Sequence, residues 1–137
     1  MEDYSKYLIK DYKHWSVQVH SNQEYLGRCV VWSKRDGVLD LTDTTEAEQE
    51  ELFMILRKLK IAIMNSFKPD WFNYSFLENE TKHLHGHVVP RYEKPVEFNG
   101  IMFIDKFWGH NFRIDPNFVT SLELLEAVKS RIRENLK

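Results

Sequence analysis

Three histidines, His83, His85 and His87, recur at every second position and then meet the apolar pair Val88 and Val89. Side chains of an extended chain alternate between faces, so a strand over this run puts all three imidazoles on one side. Histidine is the side chain whose unperturbed titration lies closest to neutral pH, and half of the chain's 6 histidines are gathered here. Such a row has three uses. Two of its members could share a metal ion, but all three span about 13 Å of strand at ~3.3 Å per residue, too far to converge on one ion with bonds of ~2 Å. A metal would therefore need a further ligand from elsewhere. A plain hydrogen-bonded sheet face is the second use, yet histidine has no strand preference that favours repeating it. The third is nucleophilic catalysis at phosphorus. A neutral imidazole whose Nδ1 proton is held by a backbone carbonyl presents its Nε2 lone pair to an electrophile, and an unperturbed ring with a pKa of ~6.5 is about three-quarters neutral at pH 7. Flanking histidines would then donate to phosphate oxygens or protonate the leaving group. That use needs all three on one face.

The elements that must hold this row can be read from periodicity. A short N-terminal segment reads as helical. Trp15 to His20 alternates apolar and polar residues, with Trp15, Val17 and Val19 on one face, as in a half-buried strand. A polar stretch through Asn22 and Glu24 turns at Gly27 into a second apolar run, Cys29 to Trp32, so the two form a hairpin. Asp43 with Glu46 three places on reads as an N-cap and capping box for a helix from about Thr44 to Phe67. Its apolar stripe, Leu52, Leu56, Leu59, Ile63 and Phe67, would lie against the sheet. Pro69 ends the helix, Trp71 to Phe76 is the next strand, and the histidine strand follows until Pro90 stops its ladder. The stretch from Val96 to Phe118 is aromatic and irregular. Leu122, Leu125, Val128 and Ile132 mark a C-terminal helix. Strands, a long helix, strands and a closing helix make an α+β domain with a mostly antiparallel sheet.

Composition agrees with a single domain over residues 1–137: 42% hydrophobic, 29% charged, and a net charge of −2 that offers no strong basic field for nucleic acid. The single cysteine, Cys29, excludes an intrachain disulfide and reads as a small buried apolar residue. No run approaches the ~20 apolar residues of a membrane span. The N-terminus has no basic segment leading into an apolar stretch, so a cytoplasmic enzyme or binding protein is expected.

The run His83 to Val89, continued by Pro90 and Arg91, resembles the signature of the histidine-triad (HIT) superfamily of nucleotide hydrolases and transferases. The resemblance extends from about Trp15 to Arg91. Upstream, residues 19–34 are similar to the family's hairpin, which leads through a glycine into a strand, here Val30, Val31, Trp32, Ser33 and Lys34. The capped helix falls where the family has its long helix. The resemblance implies a HIT-like α+β fold with a five-stranded antiparallel sheet, usually in a homodimer, that binds a purine nucleotide with its α-phosphate at the triad. By position, His85 would be the nucleophile that forms a nucleotidyl-histidine, His83 would orient it, and His87 would bind phosphate or assist the leaving group. Typical substrates of the family are dinucleoside polyphosphates and nucleoside phosphoramidates. No metal of the protein's own is implied, although a divalent cation would accompany a polyphosphate. A nucleotide-binding or sensing protein that keeps the fold but turns over poorly is the alternative.

The chain departs from the family's pattern at three places. Between the second and third histidines, where a bulky apolar residue is usual, stands Gly86, which calls for close approach by a neighbour such as a large aromatic. Where many members have a fourth histidine, Gly27 is followed by Arg28, which suits either a bidentate phosphate contact or a surface or ion-paired arginine. Where a ribose-binding Asp or Asn is common, this chain has His20 with Asn22 nearby. Asn79 stands about where the family has a polar amide reaching the α-phosphate, and a turn-forming asparagine fits it equally. The segment Phe107 to Phe112, with His110, could cover a base, contact a second subunit or pack into the core.

Overall fold

The computed structural model describes residues 5–38 and 40–137. Five strands form one antiparallel sheet: β1 (Leu8–Asp11), β2 (Trp15–Val19), β3 (Cys29–Ser33), β4 (Trp71–Ser75) and β5 (His85–Arg91), in the order β1-β2-β3-β5-β4. The fold is of the α+β class. The described part of the N-terminal segment is not an α-helix: a 3-10 turn, Ser5–Tyr7, leads into β1. Four residues cannot show a period, and pairing with β2 decides their state.

Helix α1 (Glu46–Phe67) and helix α2 (Leu122–Asn135) cover one sheet face. Leu52, Ile55, Leu59, Ile63 and Phe67 meet Val17, Val31 and Val88 in the core, while Leu56 lies at its margin. From α2 the buried residues include Leu124, Leu125, Val128 and Ile132, whereas Leu122 is exposed. The cap of α1 is two residues later than Asp43 and Glu46 suggest. Thr45 accepts from the Glu48 amide, and Glu48 accepts from the Thr45 amide, since Asp43 ends a 3-10 turn, Leu41–Asp43. At the other end Lys68 takes a left-handed conformation ahead of Pro69, which disfavours a helical predecessor.

Pro90 does not stop the ladder. It pairs with Phe72 of β4, and Arg91 pairs with Trp71. The pairing of β3 with β5 ends at Val88, so beyond that residue β5 has a neighbour on one side only, where proline is tolerated. Residues 96–118 include a hairpin, β6 (Val96–Phe98) and β7 (Ile101–Phe103), and then an irregular segment. Among the described residues no helix is long and apolar enough to cross a membrane.

Candidate active site

Register decides which side chains gather opposite the helices. Trp32 pairs with His85, Val30 with His87, and Ser75 of β4 also with His87, so these residues share a face. His83 lies just before β5 rather than in it. Its Nε2 sits 2.5 Å from the Ser33 carbonyl oxygen, which anchors the ring to the end of β3. The His83 carbonyl in turn lies 2.6 Å from Nδ1 of His85. A carbonyl only accepts, so Nδ1 of His85 carries the proton and its Nε2 keeps the lone pair. Trp32 stacks on His85 with ring centroids 4.4 Å apart and 23° between planes, fixing the imidazole from its side. The His87 ring stands nearly perpendicular to that of His85, 5.1 Å away.

His20 and Arg28 enter from the β2–β3 loop. Gln23, fully buried, ties that loop together: its side-chain amide donates to the carbonyls of His20 and Arg28, and its oxygen accepts from the Gly27 amide. The outside of the loop is held by the irregular segment, through Asn22 to the Asp115 carbonyl, Asp115 N–H to Glu24, and the Arg113 amide to Tyr25. His20 Nδ1 accepts from the Asn22 amide at 2.9 Å. Arg28 Nη2 stands 3.4 Å from His87 Nδ1. Burial first, then the field of Arg28, lowers His20 to a pKa of about 3 and His87 to about 4. Burial lowers Arg28 itself to about 10, so it remains a cation at neutral pH.

His20, Arg28, Asn79, His85 and His87 thus line one groove of about 350 Å³, with Trp32, Val30, Glu78 and Thr81. It adjoins a second groove of about 550 Å³ bordered by Tyr7, Gln18, Val30 and Trp32. Asn22 and His110 are not brought to this place. Asn22 is spent on its turn and on Asp115. His110 borders a separate pocket with Trp71, Asn73, Arg91 and Trp108. There Arg91 uses all five N–H groups, on Asp105, Asn73 and the carbonyls of Phe107 and His110. Trp32 and Ser75, whose hydroxyl is buried without a hydrogen-bond partner, escaped sequence reading because only strand register places them beside the histidines. Gly86 meets a large aromatic, as its size suggests: a Cβ there would lie 2.4 Å from the Phe76 ring. Cys29 is buried, and burial pushes its thiol well above the ordinary range. Among the described residues no three His, Cys, Asp or Glu side chains are grouped to hold a metal ion.

A five-stranded sheet backed by a long helix, with alternating histidines that lead into β5, defines a histidine-triad domain. The chain belongs to the HIT family: the HIT domain profile matches residues 2–94. Similar solved structures include a hypothetical histidine triad nucleotide-binding protein of Sulfolobus tokodaii (TM-score 0.74, 17% identity, covering 95% of this chain and 83% of that one). A histidine triad protein of Bradyrhizobium japonicum has a TM-score of 0.71 at 20% identity, covering 95% and 90%. The diadenosine triphosphate hydrolase of Plasmodium falciparum has 0.66 at 14%, covering 95% and 76%. No curated protein matches the chain.

Proposed function

We propose that the chain is a nucleotide hydrolase that cleaves at the α-phosphorus of a dinucleoside polyphosphate or nucleoside phosphoramidate through a covalent nucleotidyl-His85. The observation that carries this is the 2.6 Å contact between His85 Nδ1 and the His83 carbonyl, on a ring that lines the groove beside His87 and Arg28. It leaves Nε2 basic and aimed by the backbone, which is what an imidazole nucleophile requires. His83 then acts through its carbonyl, and its ring secures the turn into β5. In the first step the Nε2–P bond forms as the bond from phosphorus to the leaving group breaks. Water next displaces Nε2, the N–P electron pair returns to the ring, and a nucleoside monophosphate is released. Hydrogen bonds from His87 and Arg28 would stabilise charge on the phosphoryl oxygens, and Asn79 stands at the same rim.

In this reading a purine nucleoside occupies the adjoining groove against Trp32 and Tyr7. The protein contributes no metal, and any divalent cation arrives with the polyphosphate. A homodimer in a cytoplasmic setting completes the reading. The free edge of β4 supports self-association, because it exposes Trp71 and Tyr74 next to α1, whose Lys60 lies over Phe72.

The test is a single-turnover reaction with adenosine phosphoramidate and diadenosine polyphosphates, in EDTA and again with magnesium, scoring released AMP and the mass of acid-quenched protein. An added nucleotidyl group that disappears in His85→Asn, with nucleotide affinity kept, is the expected result. Turnover that survives in His85→Asn would refute the assignment. Binding with neither AMP nor adduct would favour the sensing alternative.

A further inference from the structure

The chain buries two arginines, and they differ in one respect. Arg91 has every N–H satisfied and is ion-paired to Asp105. Arg28 is 6% exposed, yet its Nε and Nη1 have no hydrogen-bond partner, and it takes part in none of the ion pairs among the described residues. The carboxylate whose field reaches it most, Glu24, is engaged with the Asp115 amide. A buried cation with orphaned donors is costly to the fold unless something else completes it. Arg28 is among the residues that line the groove of His85 and His87, and a guanidinium fork matches the oxygens of a phosphate.

The contact with His87 carries a second consequence. A guanidinium has no acceptor, so Nδ1 of His87 must face Arg28 as a lone pair, with the ring proton on Nε2. His20 is held in the same tautomer by the Asn22 amide. Before substrate binds both rings are neutral, and with a pKa of about 4 roughly one His87 in a thousand is an imidazolium at pH 7. Neutral imidazole donates a hydrogen bond well and gives up its proton poorly. An amine or an alkoxide expelled from phosphorus needs that proton, whereas a phosphate departs as a stable anion.

We propose that Arg28 sets the substrate class of this site: it grips the phosphate beyond the scissile bond and limits cleavage to phosphoanhydrides, with phosphoramidates and simple phosphate esters as poor substrates. The inference rests on reading His85 as the nucleotidyl acceptor. In the anhydride reaction Nε2 of His85 bonds to the α-phosphorus, and the bond from that phosphorus to the bridging oxygen breaks. The electron pair goes to that oxygen, which leaves on the terminal phosphate of a nucleoside polyphosphate without taking up a proton. Arg28 and the Nε2–H of His87 stabilise the growing charge. Hydrolysis of the adduct then bonds the oxygen of water to phosphorus as the N–P pair returns to Nε2, with one proton of the water left on the released monophosphate and the other passed to solvent.

The experiment compares diadenosine triphosphate with adenosine phosphoramidate on the full chain, in magnesium buffer, by single-turnover rates and by the adduct on His85. Diadenosine triphosphate should react at least about 100-fold faster. Arg28→Gln should lose about 100-fold on that substrate, and Arg28→Lys should recover part of the loss by keeping the charge. Thermal melts and circular dichroism check the fold of each variant, and if Arg28→Gln does not fold, the wild-type ratio and Arg28→Lys decide. A phosphoramidate rate within about tenfold of the triphosphate rate, with the adduct on His85, would overturn the role of Arg28 and leave the nucleophile standing. Absence of an adduct from either substrate would instead overturn the nucleotidyl-histidine reading itself.

Discussion

Replacing Gly86 by alanine tests the packing that lies directly behind the histidine row. A Cβ at this position would lie 2.4 Å from Cε1 and Cζ of Phe76 and 3.0 Å from its Cδ1. Carbon atoms in contact settle at about 3.5–4.0 Å, so the ring must retreat by more than about 1 Å. Phe76 directly follows β4 and begins the segment whose Leu77, Glu78 and Asn79 line the groove, which means the retreat is transmitted to the site. Overpacking of this kind costs about 1–3 kcal/mol. At this chain length each kcal/mol lowers the melting temperature by about 3–4 °C, giving a loss of about 3–12 °C. Phe76→Ala alone should cost about 1–3 kcal/mol, less than for a fully buried ring because Phe76 is half-buried. In the double variant the new methyl occupies space vacated by the ring, so the two effects should fall short of their sum by about 1 kcal/mol or more. Urea unfolding of the four proteins measures this coupling, and the rate of adduct formation on His85 should fall with Gly86→Ala. A Gly86→Ala melting temperature within about 1 °C of the parent, or strictly additive effects, would refute the argument.

Two further perturbations follow from the electrostatics. His20 and His87 have folded pKa values of about 3 and about 4, below the unfolded value of ~6.5, so between those limits the unfolded chain binds more protons. Stability is therefore full above about pH 6.5 and falls on acidification toward pH 4, by about 3–4 kcal/mol after halving for solvent screening. Urea midpoints at pH 7, 5.5 and 4 should decline less steeply in a His20→Gln/His87→Gln double variant, and parallel profiles would contradict the assignment. Arg91→Ala leaves Asp105, 1% exposed, as a buried unpaired carboxylate, with an expected loss of about 3–5 kcal/mol in urea unfolding. A loss below about 1 kcal/mol would mean that Asp105 finds another partner.

The parts of this fold that were legible in the sequence are those in which one element records its own surroundings. Trp15, Val17 and Val19 alternate because β2 is buried on one face, and α1 carries a period of about 3.6 because one side meets the sheet. Where the decision is made by a distant partner, the local pattern gives no sign of it. Leu8–Asp11 is a strand because β2 lies beside it, and Pro90 stays in the ladder because β3 has already ended. The cap moved from Asp43 to Thr45 because two overlapping polar runs satisfy the same motif, and tertiary contacts choose between them.

The two arginines carry the same lesson into the site. Arg28 follows a glycine and Arg91 follows a proline, each at the border of a strand, and nothing in either neighbourhood tells a free cation from a paired one. The difference is set by non-local placement. The irregular segment brings Asp105 and two carbonyls to Arg91. The loop tied by Gln23 instead turns Arg28 toward His87, and among the described residues it joins no ion pair. The same segment that completes Arg91 also holds Asn22 and Tyr25 on the outside of that loop. Aromatic and irregular as it is, residues 104–120 therefore do structural work at one arginine while leaving the other unpaired for an anion. His110 belongs to this support, through its carbonyl, rather than to the triad groove.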